Sequence, residues 1–185
     1  MQKRGSYTRR RSQHVPLHNR LRRTTQRLKT LSKKGKYALR ALYHLTREHG
    51  RGPVLIATLS QQECIPHKFL ELILLHLKNK GLVESKKGRN GGYYLAKPPE
   101  QITIGSVIRL IDGPLAPLPC ASETAYRKCE ECIDEQNCET RIVMRRVRDA
   151  MAGILDRTSL ADVCAEVDER RKKADEIPEE LMFYI

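Results

Sequence analysis

Between residues 31 and 95 of this 185-residue chain, helix-forming stretches, stops and glycines follow one another in an order that few folds can use. From Ser32 to Glu48 the residues Tyr37, Ala38, Ala41, Leu42 and Leu45 share one helix face, and Gly50 is placed to end it. Pro53 opens a segment in which Leu55, Ile56 and Leu59 fit a short second helix, with a turn over Gln61 to Ile65. Pro66 suits the first turn of a third helix, with Phe69, Leu70, Ile73, Leu74 and Leu77 facing inward and Gly81 ending it. Two short helices joined by a tight turn form the pattern of a helix-turn-helix.

A β-hairpin follows directly. Leu82 to Lys87 runs into Gly88-Arg89-Asn90-Gly91-Gly92 and returns as Tyr93-Tyr94-Leu95. Lys86, Lys87 and Arg89 lie at its glycine-rich tip, where small neighbours let the backbone approach a phosphate or enter a minor groove. Such a cluster alone reads as a solvated surface hairpin. Placed after a helix-turn-helix, it reads as a DNA-contacting wing. The expected fold is mainly α with a small β-hairpin: a winged helix-turn-helix domain over 31–98.

Charge agrees with a polyanionic partner but is unevenly spread. The net charge is +13, and residues 1–30 hold ten basic side chains and no acid. That leaves 25 basic against 22 acidic residues over 31–185, a net of +3. The tail reads as disordered when free, as an organelle transit peptide, or as the product of a misjudged translation start. No apolar run approaches the ~20 residues that span a bilayer, so no membrane is expected.

Residues 99–166 form a second region. Thr103 can cap a short helix carrying Ile104, Val107, Ile108 and Ile111, which Asp112-Gly113-Pro114 ends, and Pro117 and Pro119 keep the chain extended. A long helix follows from about Glu139 to Leu155, with Val143, Val147, Ala150, Met151 and Ile154 on one stripe. That stripe exceeds what so small a domain needs for its own core. It fits pairing with a second copy in a homodimer, against the alternative of packing on its own wing domain. Ser159 caps a short last helix with Leu160 and Val163, and 167–185 reads as a charged C-terminal tail.

Cys120, Cys129, Cys132 and Cys138 give a C-x8-C-x2-C-x5-C cluster before the long helix. It suits a disulfide staple, a metal or iron–sulfur site, or a thiol switch. Without an export signal a permanent staple is disfavoured. Six acids against two bases over 120–139 disfavour bare thiolates, whereas iron or zinc would offset both charges. Metal or cluster binding therefore ranks above naked thiol chemistry. Cys64 and Cys164, among apolar residues, are expected to be packed. A small thiol oxidoreductase using Cys129-x-x-Cys132 is the remote alternative, with no βαβ pattern or nucleotide loop to support an enzyme.

The chain from Leu31-Ser32-Lys33-Lys34-Gly35 through Leu42 resembles the opening of the Rrf-two-type transcription regulators, the IscR, NsrR and CymR group. So do Phe69-Leu70-Glu71, Leu77-Lys78-Asn79-Lys80-Gly81-Leu82-Val83, Gly91-Gly92-Tyr93-Tyr94-Leu95, Asp112-Gly113-Pro114-Leu115-Ala116-Pro117 and Leu155 to Val163. The resemblance covers roughly 31–166 and is nearest to the cysteine-metabolism branch. It implies a bacterial, cytoplasmic, homodimeric regulator, usually a repressor, whose third helix enters the major groove of operator DNA. On that basis Lys68 and Glu71 lie on the exposed side of the recognition helix, and Lys87, Arg89 and Asn90 at the wing tip. Glu71 can accept from a cytosine amino group or simply pair along its own helix.

In cluster-binding members three cysteines match Cys120, Cys132 and Cys138. The resemblance thus implies an iron–sulfur cluster that reports iron, redox or nitric oxide status. The histidine some members use stands here as Arg141, and the aspartate others use as Lys36. Cys129 would then be the fourth ligand, in a site that suits zinc equally. Other members have no cluster and respond through free thiols, a protein partner or cysteine-metabolism signals.

Overall fold

The computed structural model describes residues 31–130 and 132–175; the basic tail over 1–30, Glu131 and the end of the chain over 176–185 lie outside the described residues. Helices α1 (Lys33–Arg47), α2 (Ile56–Gln62) and α3 (His67–Asn79) come first, then the strands β1 (Val83–Lys86) and β2 (Gly92–Leu95). Helices α4 (Ile104–Asp112), α5 (Glu139–Leu155) and α6 (Leu160–Asp175) complete it. The chain is mainly α with one small antiparallel hairpin, and α2, the turn and α3 form the expected helix-turn-helix.

Helix α1 runs through the centre. Ala38, Ala41 and Leu42 on it are wholly buried. Its N-terminus is capped by Ser32, whose hydroxyl accepts from Gly35 N at 2.9 Å. The same hydroxyl donates to Asp112 Oδ1 at 2.5 Å, and Ser32 N donates to Asp112 Oδ2 at 2.8 Å. Asp112 ends α4, so this carboxylate both fastens α4 to α1 and meets the positive end of the α1 dipole. Gly35 permits the approach, since a Cβ there would lie 2.7 Å from Asp112 Oδ2.

One core cluster joins Leu39, Leu42 and Leu45 of α1 to Ile73 and Leu77 of α3, Val83 and Leu95 of the hairpin, Val107 of α4 and Leu160 of α6. A second gathers Ala41, Leu59, Ile65, Leu70 and Leu74 between α1, α2 and α3. The buried face of α1 thus meets α3, the hairpin, α4 and α6 in one cluster and α2 with α3 in the other. Phe69 is half-buried, edge-on to Tyr37 with ring centroids 5.6 Å apart.

In the hairpin Val83 pairs with Leu95 and Lys86 with Gly92. Val54 adds a one-residue bridge to Tyr93, with N–H···O distances of 2.9 and 2.8 Å. Gly92 lies against this bridge at φ 154°, where a Cβ would come 2.3 Å from Val54 O. The wing is thereby anchored to the chain between α1 and α2.

Two expectations are corrected. The last helix is not short: α6 spans sixteen residues to Asp175. It starts from a reciprocal cap, in which Ser159 Oγ donates to Asp162 Oδ2 at 2.7 Å and accepts from Asp162 N at 3.1 Å. Hydrogen bonds from Ser159 hold the Asp162 carboxyl below its ordinary value, the one from Ser159 N foremost. Beyond Val163 the apolar signal fades, but good helix formers and a Glu166–Arg170 ion pair continue the helix. Cys64 is not packed but exposed, in the turn of the helix-turn-helix at φ 49°. Cys164 is buried as expected, with its Sγ 3.7 Å from Tyr43 O.

Helix α5 matches the expected bounds, and Arg148 is its one buried residue. The apolar stripe stays outside: Val143, Val147 and Ile154 are exposed, Ile154 at 64%. No helix of the described residues is long and apolar enough to cross a membrane.

Candidate nucleic-acid interface and cysteine loop

The inner face of α3 is held by Leu70, Ile73, Leu74 and Leu77, all wholly buried, and this sets what the outer face presents. Lys68 points into solvent with its side chain 91% exposed. Glu71 is half-exposed and receives Lys68 Nζ at 3.2 Å, with His67 Nδ1 at 3.4 Å. The intrahelical pairing read as the alternative for Glu71 is therefore present. Leu72 and Leu75, which sequence reasoning did not single out, are 63% and 53% exposed beside it.

The wing is fixed relative to this helix. Lys78 Nζ donates to Ser85 Oγ at 2.6 Å, tying the end of α3 to β1. Tyr94 OH donates to Glu84 Oε2 across the strands at 2.6 Å, which raises the phenol's pKa. Beyond these bonds Lys86, Lys87, Arg89 and Asn90 are all exposed at the tip. Gly91 N closes the tip on Gly88 O at 2.9 Å, and a side chain at Gly91 would strike Lys86 O at 2.3 Å. Cationic side chains thus flank an exposed helix whose orientation is set by a buried face.

The cysteine loop lies on α5. Cys120 is buried in a 3-10 turn over Pro119–Ala121, Cys129 is exposed, and Cys132 and Cys138 are half-buried. Cys132 Sγ donates to Asp134 O at 3.4 Å, in the same loop as Cys138. The Cys132 thiol is pushed up in pKa by desolvation first and by Cys138 second, with Cys129 and Cys120 adding to the rise. Among the described residues no three histidines, cysteines or carboxylates converge to hold a metal ion. As placed, the four cysteines do not close into a metal site, and holding a metal or cluster would need the loop to draw them together.

Two arginines hold the loop instead. Arg141 Nε donates to Cys120 O at 3.0 Å and Arg141 Nη1 to Glu135 O at 3.0 Å, and its guanidinium lies 5.7 Å from the Tyr126 ring centroid. Arg148, two turns on and therefore on the same face of α5, donates to Ala121 O at 2.7 Å and pairs with Glu123 at 3.1 Å. Asp134 closes the far turn by accepting from Asn137 Nδ2 at 2.6 Å and Gln136 N at 2.9 Å, which lowers its pKa. Sequence reasoning treated Arg141 only as a missing ligand and passed over Arg148. The signal available was their seven-residue spacing after a loop rich in acids.

Residues 31–166 match the model of a family described as "Rrf2: Iron-dependent Transcriptional regulator". An rrf2-like HTH-type transcriptional regulator of Rhodobacter capsulatus is 41% identical over 138 residues, covering 73% of this chain and 92% of the relative. The solved structure of CymR, the global cysteine regulator of B. subtilis, is 33% identical with TM-score 0.61, over 74% of this chain and 97% of that one. T. potens IscR is 26% identical with TM-score 0.61, over 84% and 96%.

Replacing Arg148 by Ala leaves Ala121 O without its buried donor. It should cost about 1–3 kcal/mol of stability, and should raise amide exchange over 120–138 in hydrogen–deuterium measurements while leaving α1 to α3 protected. Equal protection of the loop in variant and parent would remove Arg148 from this role.

Proposed function

Since the chain belongs to the Rrf2 family of helix-turn-helix transcription regulators, which are DNA-binding proteins and not enzymes, we propose that it is a bacterial, cytoplasmic, homodimeric repressor that lays α3 in the major groove of operator DNA. The observation that carries this reading is an α3 whose inner face is fully buried and whose outer face is free, beside an exposed cationic wing. Lys68 serves a phosphate or a guanine, Glu71 a cytosine amino group once it exchanges its helical partners, and Lys87, Arg89 and Asn90 the backbone and minor groove. The chain divides by function into a DNA-binding unit over 31–98 and a regulatory unit over 99–166.

The dimer reading rests on α5. A helix whose only buried residue is an arginine, with Val143, Val147 and Ile154 in solvent, calls for a covering partner, and a second copy supplies an identical stripe. Two copies would set two α3 helices about 34 Å apart, one turn of the duplex.

The cysteine loop is the proposed sensor. An iron–sulfur cluster on Cys120, Cys129, Cys132 and Cys138 is supported by the iron-dependent description of the family and by an acidic setting that a cation offsets. Taking it up requires the loop to draw Cys120 and Cys129 toward the other two cysteines, so zinc remains a second occupant. A thiol pair, as in a peroxide- or cysteine-metabolism-responsive regulator, is the alternative reading, with Cys132 and Cys138 both half-buried free thiols of one loop.

Three measurements test these points. Replacing Lys87 and Arg89 by Ala should weaken binding to a duplex selected from a random library and flatten the log–log salt slope by roughly 0.9 for each phosphate no longer neutralised; an unchanged slope would take the hairpin off the DNA. Val143→Glu with Ile154→Glu should halve the mass seen by light scattering, whereas an unchanged dimer mass places the subunit interface elsewhere. Anaerobic purification should give a brown protein with iron and sulfide in stoichiometric amounts. Stoichiometric zinc, or no metal with a peroxide-induced Cys132–Cys138 disulfide, selects the other readings.

A further inference from the structure

The outer face of α3 is not the polar surface that a groove-reading helix ordinarily shows. Lys68, Leu72, Leu75 and Asn79 are all exposed. At about 100° per residue they fall within a wedge of roughly 60°, opposite Leu77. Two leucines, 63% and 53% exposed, therefore form the middle of the surface offered outward. Neither packs in the core clusters, which take Leu70, Ile73, Leu74 and Leu77 from this helix.

We propose that Leu72 and Leu75 are specificity-determining residues that read thymine 5-methyl groups in the major groove. The inference rests on the DNA-binding reading and adds the base that is read.

The chemistry is selective because leucine neither donates nor accepts. Guanine, adenine and cytosine carry no methyl at the groove edge, while thymine presents one at C5. A leucine set against a polar edge strips its water and returns no hydrogen bond, which is unfavourable; against the methyl it removes apolar surface from water. The two residues are about 4.5 Å apart along the helix axis, roughly one base-pair step, so the preferred site holds thymines at neighbouring positions.

Charge identifies the occupant as DNA rather than an apolar protein surface. Lys68 stands one turn before Leu72 on the same line, and the nearby acid Glu71 is already met by Lys68 and His67. Lys78 joins the helix end to the hairpin that carries exposed Lys86, Lys87 and Arg89. An apolar ridge framed by cations complements a polyanion with methyl groups in its groove.

The test uses the full-length chain and a duplex selected from a random-sequence library. Each thymine of the selected site is replaced in turn by deoxyuridine, which lacks only the methyl. The parent should lose about fourfold in affinity at one or two positions, the worth of one buried methyl. Leu72→Ala or Leu75→Ala should abolish the loss at one of them, while melting as the parent does. Leu72→Gln should move the preference at that position to adenine. If no deoxyuridine position affects the parent, or the Ala variants lose as much as the parent does, the leucines do not read methyls although DNA binding stands. If selection enriches no sequence, the DNA reading falls and takes this inference with it. If Leu72→Ala changes the mass in solution, the ridge is covered by protein and the proposal is overturned.

Discussion

Burial of one broad face of α1 is the constraint on which the rest depends. Ala38 and Ala41 keep its surface low enough for neighbours to come close, while Leu39, Leu42 and Leu45 supply the apolar area. Around that face pack α2, α3, the hairpin, α4 and α6. Because α3 spends Leu70, Ile73, Leu74 and Leu77 on this packing, its opposite face has nowhere to go but outward. The presentation of a helix to a partner follows from where the core lies.

The same helix links the regulatory region to the DNA-binding one. Asp112, at the end of α4, is bound by both the amide and the hydroxyl of Ser32 at the start of α1. From Asp112 the chain runs through Gly113 to Cys120, and the carbonyls of Cys120 and Ala121 are held by Arg141 and Arg148 of α5. Arg109 of α4 also makes a two-pronged bridge to Asp156, at 2.5 and 2.8 Å, just past the end of α5. That bridge raises the guanidinium pKa and lowers the carboxyl pKa. A rearrangement of the cysteine loop would therefore be felt at the last turn of α4, which holds both Arg109 and Asp112, and through Ser32 at the helix that orients α3. Loop and reading helix share a frame of hydrogen bonds rather than a flexible tether.

Much of this was legible in the amino-acid order. The 3.6-residue recurrence in α1, α3 and α4, the proline opening α3 and the glycine-rich wing tip are local signals, and local signals place elements well. The bounds of α5 were readable for the same reason. The length of α6 was not, since past Val163 it has little apolar pattern and is held by helix propensity and charge pairs. Cys64 was misplaced because apolar neighbours in sequence, Ile65 among them, point inward from a turn that turns the cysteine out.

Residue order alone sets the inventory and succession of elements: a helix-turn-helix, a wing, a cysteine loop and a long amphipathic helix. Periodicity and turn chemistry act over a few residues and need no distant partner. Which charged and apolar side chains escape their usual places is settled by packing across the fold. Arg148 is buried because a loop brings it the Ala121 carbonyl and the Glu123 carboxylate, and Leu72 and Leu75 are exposed because other leucines of the same run fill the core. Asp112 is bound by a residue 80 positions away. Such choices depend on pairings closed across the fold, which no short window of sequence contains.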